Sequence, residues 1–238
     1  MRVGDSPFSD AATGNLVRTR EDEGVLQVLT RESSTKEFKE DFTWGSIGLY
    51  ARTMAAFANA RGGYIFFGIT DNPRTVIGLS DKGKESFDNL DQAKLTEDLN
   101  ELFSPEIHWT LGLIDLPDGL CVGAIYTFES NDKPLVARKT YQQQNAKISE
   151  GDIFYRYNSR SQRIRFPELK RVLDDAKLRE QRAMMSHIEA LVRAGAANAA
   201  VLDFSENMLQ GPTGQKVLID EGLLEKIAFI KEGEFGLS

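Results

Sequence analysis

The sequence predicts an α+β domain: a mixed, mainly antiparallel sheet flanked by helices, with a long C-terminal helix and a small appendage. Three observations carry this expectation. Tyr64-Ile65-Phe66-Phe67-Gly68-Ile69 is a continuous apolar run of strand length, the pattern of a central strand buried on both faces. A helix-spaced apolar segment precedes it directly. Two β-rich runs, residues 108–116 and 120–128, are split by Pro117-Asp118-Gly119, which reads as a hairpin.

Residues 1–20 are rich in Gly, Ser, Asp and Ala without a period and read as a loose arm. Val25, Leu26, Val28 and Leu29 suggest a short helix within residues 21–30, and residues 36–42 a short strand. Ser46 is placed to cap a helix in which Ile47, Tyr50, Met54, Phe57 and Ala58 recur at helical spacing. Gly62-Gly63 stops it, glycine being the usual residue just past a helix end. Asp71-Asn72-Pro73-Arg74 is a turn, residues 76–79 another short strand, and residues 80–90 a polar loop. Leu95, Leu99, Leu102 and Phe103 mark a helix that ends before Pro105. Residues 134–137 and 153–157 are further strand candidates, after which Pro167 opens a helix running to about Arg193. Its charged interval, residues 177–182, is expected to project from the body. Residues 199–202 and 217–219 then read as strands around residues 211–214, and residues 223–230 as a last helix or strand. The expected division is an arm (1–20), a main domain (21–173), the continuing helix (174–197) and an appendage (198–238). The stop soon after Ile230 suggests a piece of a longer protein, or a tail that packs on a partner.

The hydrophobic fraction of 41% and the charged fraction of 27% are ordinary for a soluble chain. No apolar run approaches the roughly 18 residues of a membrane span, and the first twenty residues lack the apolar core of a secretory signal. One cysteine, Cys121, forms no internal disulfide, which fits a cytoplasmic protein, and with only two histidines a Cys/His zinc site is not expected. The net charge of −7 is unevenly spread: residues 1–132 carry −10, residues 133–193 carry +7 and residues 194–238 carry −4. A basic block inside an acidic chain is a plausible contact for a polyanion, or simply a solvated helix face.

Phosphate-loop, H-E-x-x-H and G-x-S-x-G motifs are all absent. What remains is a set of carboxylates, Glu32, Glu37 and Asp71, with Lys39 two residues after Glu37. Gathered at one site, three carboxylates would hold Mg²⁺ or Mn²⁺, and Lys39 would meet a phosphate. The plain alternative is a solvated Glu32, an exposed strand residue in Glu37 and an Asp71 that serves its own turn. In the basic block, Tyr155, Arg156, Tyr157, Arg160, Arg163 and Arg165 interleave aromatic and guanidinium groups, and Lys139 precedes them. Arginine grips phosphates and aromatics stack on unpaired bases. Against this, the tyrosines would simply pack in the core while the arginines solubilise an edge strand.

Four linked segments resemble the successive signatures of the Schlafen AlbA-2 domain. They are Glu32-Ser33-Ser34-Thr35-Lys36-Glu37-Phe38-Lys39; Ala55-Ala56-Phe57-Ala58-Asn59-Ala60 with Gly62-Gly63; Phe67-Gly68-Ile69-Thr70-Asp71; and Gly78-Leu79. Residues 154–160 resemble the strand and turn that close that domain, so the likeness spans about residues 25–173. The resemblance implies Glu32, Glu37 and Asp71 as metal-binding or catalytic carboxylates, Lys39 as a phosphate contact and Asn59 as a residue that shapes the site. Vertebrate members are similar to two such lobes fused into a clamp with a zinc site. This chain has one lobe and lacks the cysteines, so a homodimer is expected to restore the groove. Three functions follow as expectations: a Mg²⁺- or Mn²⁺-dependent endoribonuclease acting on tRNA or other structured RNA; a non-catalytic DNA- or RNA-binding module; and an oligomerisation domain.

Overall fold

The computed structural model describes residues 7–8, 17–22, 24–71, 73–116, 119–143, 146–194, 201–203, 208–211 and 214–218. The expected last element, residues 223–230, lies outside them, as do most of the arm and the Pro117-Asp118 tip of the hairpin. The chain divides into two compact units between Ala176 and Lys177.

The first unit is built on a four-stranded sheet of order β3-β4-β7-β6. Strands β3 (Lys36–Lys39) and β4 (Gly63–Phe67) are parallel, while β7 (Cys121–Thr127) runs antiparallel to both β4 and β6 (Trp109–Asp115). The mixed, mainly antiparallel architecture is the one the sequence predicts. Strand β4 is central, and its alternation explains the apolar run. Ile65 and Phe67 enter one core with Met54, Phe57 and Leu99, while Phe66 enters a second core with Phe38, Val28 and Val122. The helix α1 (Ile47–Asn59) joins the two parallel strands and packs on the first face. Ser46 stands at its cap position without a capping bond, and a 3₁₀ turn (Trp44–Ser46) leads in. At its other end the Gly62 amide reaches the Phe57 carbonyl at 2.9 Å with φ +72°, a left-handed position suited to glycine.

Three expected elements differ. The short helix at residues 21–30 is instead a hairpin of β1 (Thr19–Asp22) and β2 (Val25–Val28). Leu26 and Val28 turn to the second core while Val25 stays exposed, the period of a strand rather than a helix. The polar loop at 80–90 holds helix α2 (Asp81–Asp88), capped by the Ser80 hydroxyl, which accepts from the Gly83 amide at 2.9 Å. Phe87 alone anchors its apolar side, too little to show as a pattern. The strand expected at 76–79 is reduced to isolated bridges, Gln27↔Thr75 and Ile69↔Val76.

Helix α3 (Gln92–Leu102) buries Leu95, Leu99 and Leu102 as expected. It leads into β5 (Phe103–Ser104), which pairs with β8 (Val136–Ala137), and two hairpins pack against α1: β9 (Tyr141–Gln143) with β10 (Ala146–Ile148), and β11 (Phe154–Tyr157) with β12 (Arg160–Arg163). Of the expected arm, Pro7 and Phe8 lie against Tyr64, whose hydroxyl donates to the Pro7 carbonyl at 3.1 Å. Helix α4 (Phe166–Ala194) is the predicted long helix and continues into the second unit. That unit contains a three-stranded antiparallel sheet of β13 (Val201–Asp203), β14 (Met208–Gln210) and β15 (Lys216–Leu218).

Candidate functional site

Because β3 and β4 run parallel, their carboxyl ends lie at one edge of the sheet, where ligands of open sheets commonly gather. Gly68 secures the junction. Its amide and that of Ile69 both donate to the Lys39 carbonyl (2.9 and 3.0 Å), and its own carbonyl receives the amides of Ile77 and Gly78. A Cβ at Gly68, where φ is +102°, would stand 2.6 Å from the Gly78 carbonyl carbon, so the close crossing that leads the chain to Asp71 requires glycine.

The four residues expected at the acidic site share one electrostatic environment. Glu32 Oε1 accepts from the Phe38 amide at 2.9 Å. Partial burial pushes the Glu32 carboxyl up, the Phe38 hydrogen bond opposes this, the charges of Glu37 and Asp71 raise it further, and Lys39 lowers it. Glu37 is fully engaged: Oε1 meets Lys39 Nζ at 2.7 Å and Oε2 meets Arg156 Nη1 at 2.6 Å. The second contact is an ion pair without good hydrogen-bond geometry, since Oε2 has no hydrogen bond in the strict sense. Asp71 is exposed and makes no hydrogen bond or ion pair among the described residues. Oxygen-only donors suit Mg²⁺ or Mn²⁺, but no three acidic, histidine or cysteine side chains come together as a ligand set among the described residues. With both oxygens of Glu37 on cations, the arrangement does not fit a three-carboxylate ion site.

The basic residues separate. Arg156 corrects the expectation of a surface contact, because its side chain is fully buried (0% exposed). It donates to the carbonyls of Ser33 (3.1 Å) and Lys36 (2.9 Å) and to the Ser161 hydroxyl (3.2 Å), and lies 5.0 Å above the Phe57 ring. The alternation along β11 is as expected, but it puts Phe154 and Arg156 inside and leaves Tyr155 and Tyr157 half-buried. The tyrosine hydroxyls hold the start of α4: Tyr157 bonds Glu168 and the Arg165 amide at 2.8 Å each, and Tyr155 accepts from Arg171 at 2.6 Å. Exposed Arg163 pairs with Asp152 at 2.7 Å, exposed Arg165 covers the Tyr157 ring at 5.0 Å, and Lys139 pairs with Glu101. Arg160 is exposed and makes no hydrogen bond or ion pair among the described residues.

Asn59 shapes this region from below. Its amide donates to the carbonyls of Leu135 (3.1 Å) and Phe154 (2.9 Å) and its oxygen accepts from the Leu135 amide (2.7 Å), so α1 is bolted to β11 and the β8 segment. Sequence reasoning missed Arg52, which shares a polar cleft of about 280 Å³ with Glu37 and Arg160. The signal was present: Arg52 is the single charged residue of α1, in a helix with ten buried positions.

A family model described as Schlafen, AlbA_2 matches residues 32–165. An uncharacterized ATP-binding protein of Ureaplasma parvum serovar 3 is 38% identical over 237 residues, covering 93% of this chain and 65% of the relative. The chain therefore spans less than two thirds of that relative's length.

Proposed function

Starting from a chain that belongs to the Schlafen AlbA_2 family, we propose that it handles nucleic acid at the carboxyl ends of β3 and β4, and that it cuts structured RNA such as tRNA there. The observation that carries this reading is that Glu37, Asp71 and Lys39 all act on Glu32 at one sheet edge, where the Glu32 carboxyl is raised first by its burial and further by the two neighbouring carboxylates. A carboxyl lifted above its ordinary range is the one suited to exchange a proton with a ribose hydroxyl or a water. Lys39 and Arg156 neutralise Glu37, which reduces the repulsion that a phosphodiester would meet beside it. Mg²⁺ or Mn²⁺ carries no step of this reading, because among the described residues the three carboxylates do not form an ion site and Glu37 is held by Lys39 and Arg156. A second copy completing a two-lobed groove is part of the same reading. So is a cytoplasmic location; among the described residues no helix is long and apolar enough to cross a membrane. ATP binding, which the relative's name carries, finds no phosphate loop in this sequence.

The test is incubation with total tRNA and Mg²⁺ or Mn²⁺, with and without chelator, beside Asp71→Asn. Asp71 is the informative position because it is exposed and unpartnered, so the variant keeps its fold. Cleavage by the wild type that fails in Asp71→Asn supports the reading. Salt-sensitive binding without cleavage assigns a binding module instead. No binding at low salt leaves the oligomerisation role. Light scattering that reports a monomer at working concentration counts against the paired groove.

A further inference from the structure

Helix α1 carries Arg52 among ten buried residues. Its Nε is buried and meets no hydrogen-bond partner, and it forms no ion pair among the described residues. Buried donors in folded proteins are nearly always paired, and an orphaned charged one calls for a missing partner. Across the cleft, Asn158 takes a positive φ of 49° at the turn between β11 and β12, and the following residues Ser159, Arg160 and Ser161 line the cleft with Thr53 of α1. Arg160 is likewise without a hydrogen-bond or ion-pair partner among the described residues. The Ser161 hydroxyl accepts from Arg156, which leaves its own hydrogen free to donate. Glu37 also lines the cleft, but its charge is met by Lys39 and Arg156, so the two guanidinium groups leave a net positive site.

We propose that this cleft is a phosphate-binding pocket, in which Arg52 and Arg160 grip phosphate oxygens and the hydroxyls of Thr53, Ser159 and Ser161 supply further donors. Guanidinium groups are the side chains best matched to phosphate geometry. The volume of about 280 Å³ lies just below the range of roughly 300–1,000 Å³ usual for small-molecule pockets. A phosphate with part of its sugar fits better than a whole nucleoside triphosphate. Because Glu37 belongs both to this pocket and to the acidic site, a backbone phosphate seated here runs directly past the carboxylates. That consequence rests on the nucleic-acid reading; the phosphate pocket itself does not.

The experiment measures two ligands on the full chain and on Arg52→Gln, Arg160→Gln and, as a control, Lys82→Gln on the exposed side of α2. Thermal shift reports inorganic phosphate and ATP, and fluorescence anisotropy reports a single-stranded RNA across a salt series. The expected result is that each arginine variant weakens phosphate binding about tenfold or more and flattens the logarithmic salt slope for RNA by about 0.7, while Lys82→Gln changes neither. ATP binding far tighter than phosphate, and lost in both arginine variants, assigns the pocket to free nucleotide. RNA effects much larger than those for phosphate or ATP assign it to the polymer backbone. Phosphate binding lost in both variants, in a protein that binds no RNA, keeps the pocket and overturns the nucleic-acid reading. Wild-type levels of phosphate and RNA binding in both arginine variants overturn the pocket, as does an equal loss in Lys82→Gln. If the wild type binds neither phosphate nor ATP and the RNA slope is unchanged in the variants, the pocket is also overturned.

Discussion

Replacing Glu37 tests the central contact of the site, and the structure sets the size of the effect. Its partner Arg156 has a side chain with 0% exposure, and Glu37 itself is 13% exposed. Removing one member of a buried ion pair typically costs about 3–5 kcal/mol, because the other charge is left without its counter-ion. Arg156 would keep the carbonyls of Ser33 and Lys36, the Ser161 hydroxyl and the face of Phe57. Those remaining partners put Glu37→Gln at the lower end, about 3 kcal/mol, or a fall in Tm of about 6–12 °C for a folding unit of this size. Urea unfolding should show a lower midpoint at an unchanged slope. Arg156→Met strands two carbonyls but leaves Glu37 paired with Lys39, so it should cost a similar amount. The double variant should cost less than the sum of the two, since the second change removes a charge already stranded by the first. A Glu37→Gln loss under about 1 kcal/mol, or a double variant additive within about 0.5 kcal/mol, would refute the view of this pair as an interior strut. The same arithmetic means that loss of activity in a Glu37 variant reports folding as well as chemistry.

Asn59→Ala should cost about 3–5 kcal/mol, because three buried backbone groups lose the Asn59 side chain as a hydrogen-bond partner; a chemical-denaturation midpoint near wild type would show that the α1 bolt is dispensable. For Glu32, the carboxyl is raised in the folded state, so the native protein holds its proton more tightly than the unfolded chain. The stability associated with this group is therefore full below the unfolded pKa and is lost as pH rises through the folded value. Glu32→Gln, which keeps an oxygen for the Phe38 amide, should flatten that decline and leave stability at pH 7 no lower than wild type; a marked loss at pH 7 would show that the ionised carboxylate is itself stabilising.

The main sheet was legible because its central strand is apolar on every residue, and the order β3-β4-β7-β6 gives each face a core to bury against. The long helix was legible through Pro167 and its apolar spacing. The β1–β2 hairpin was not, because four apolar residues in five fit either period, and only the sheet below selects Leu26 and Val28 for burial. Helix α2 was hidden for the opposite reason: one phenylalanine and a serine cap hold it, with no stripe to read. At the site, the family resemblance rather than spacing alone grouped Glu32, Glu37, Lys39 and Asp71, and in the fold the charges of the other three act on Glu32. The resemblance gave no sign that Arg156, more than a hundred residues later, would fold inward and take half of Glu37. An arginine between two tyrosines on a short strand reads as surface in any single sequence, since its interior partners are backbone carbonyls with no signature.

The same effect changes what the charge distribution means. In the sequence, residues 133–193 form a block of +7 that invites a polyanion. In the folded chain much of that block is internally satisfied: Arg156 on Glu37, Arg163 on Asp152, Lys139 on Glu101, Lys170 on Asp174 and Arg165 against Tyr157. A charge already paired contributes little field beyond its partner, so block charge is a poor guide to where an anion binds. The informative cations are those with no partner. Among the described residues Arg52 and Arg160 are such a pair, and they come from opposite ends of the domain's sequence to line one cleft. Arg52 belongs to the acidic first block, where counting charge would never have placed an anion site. In the proposed pocket the anion site of a net-acidic protein is therefore set by guanidinium groups that folding leaves unpaired, one from the acidic first block and one from the basic block, beside Glu37 rather than where the block charge is densest.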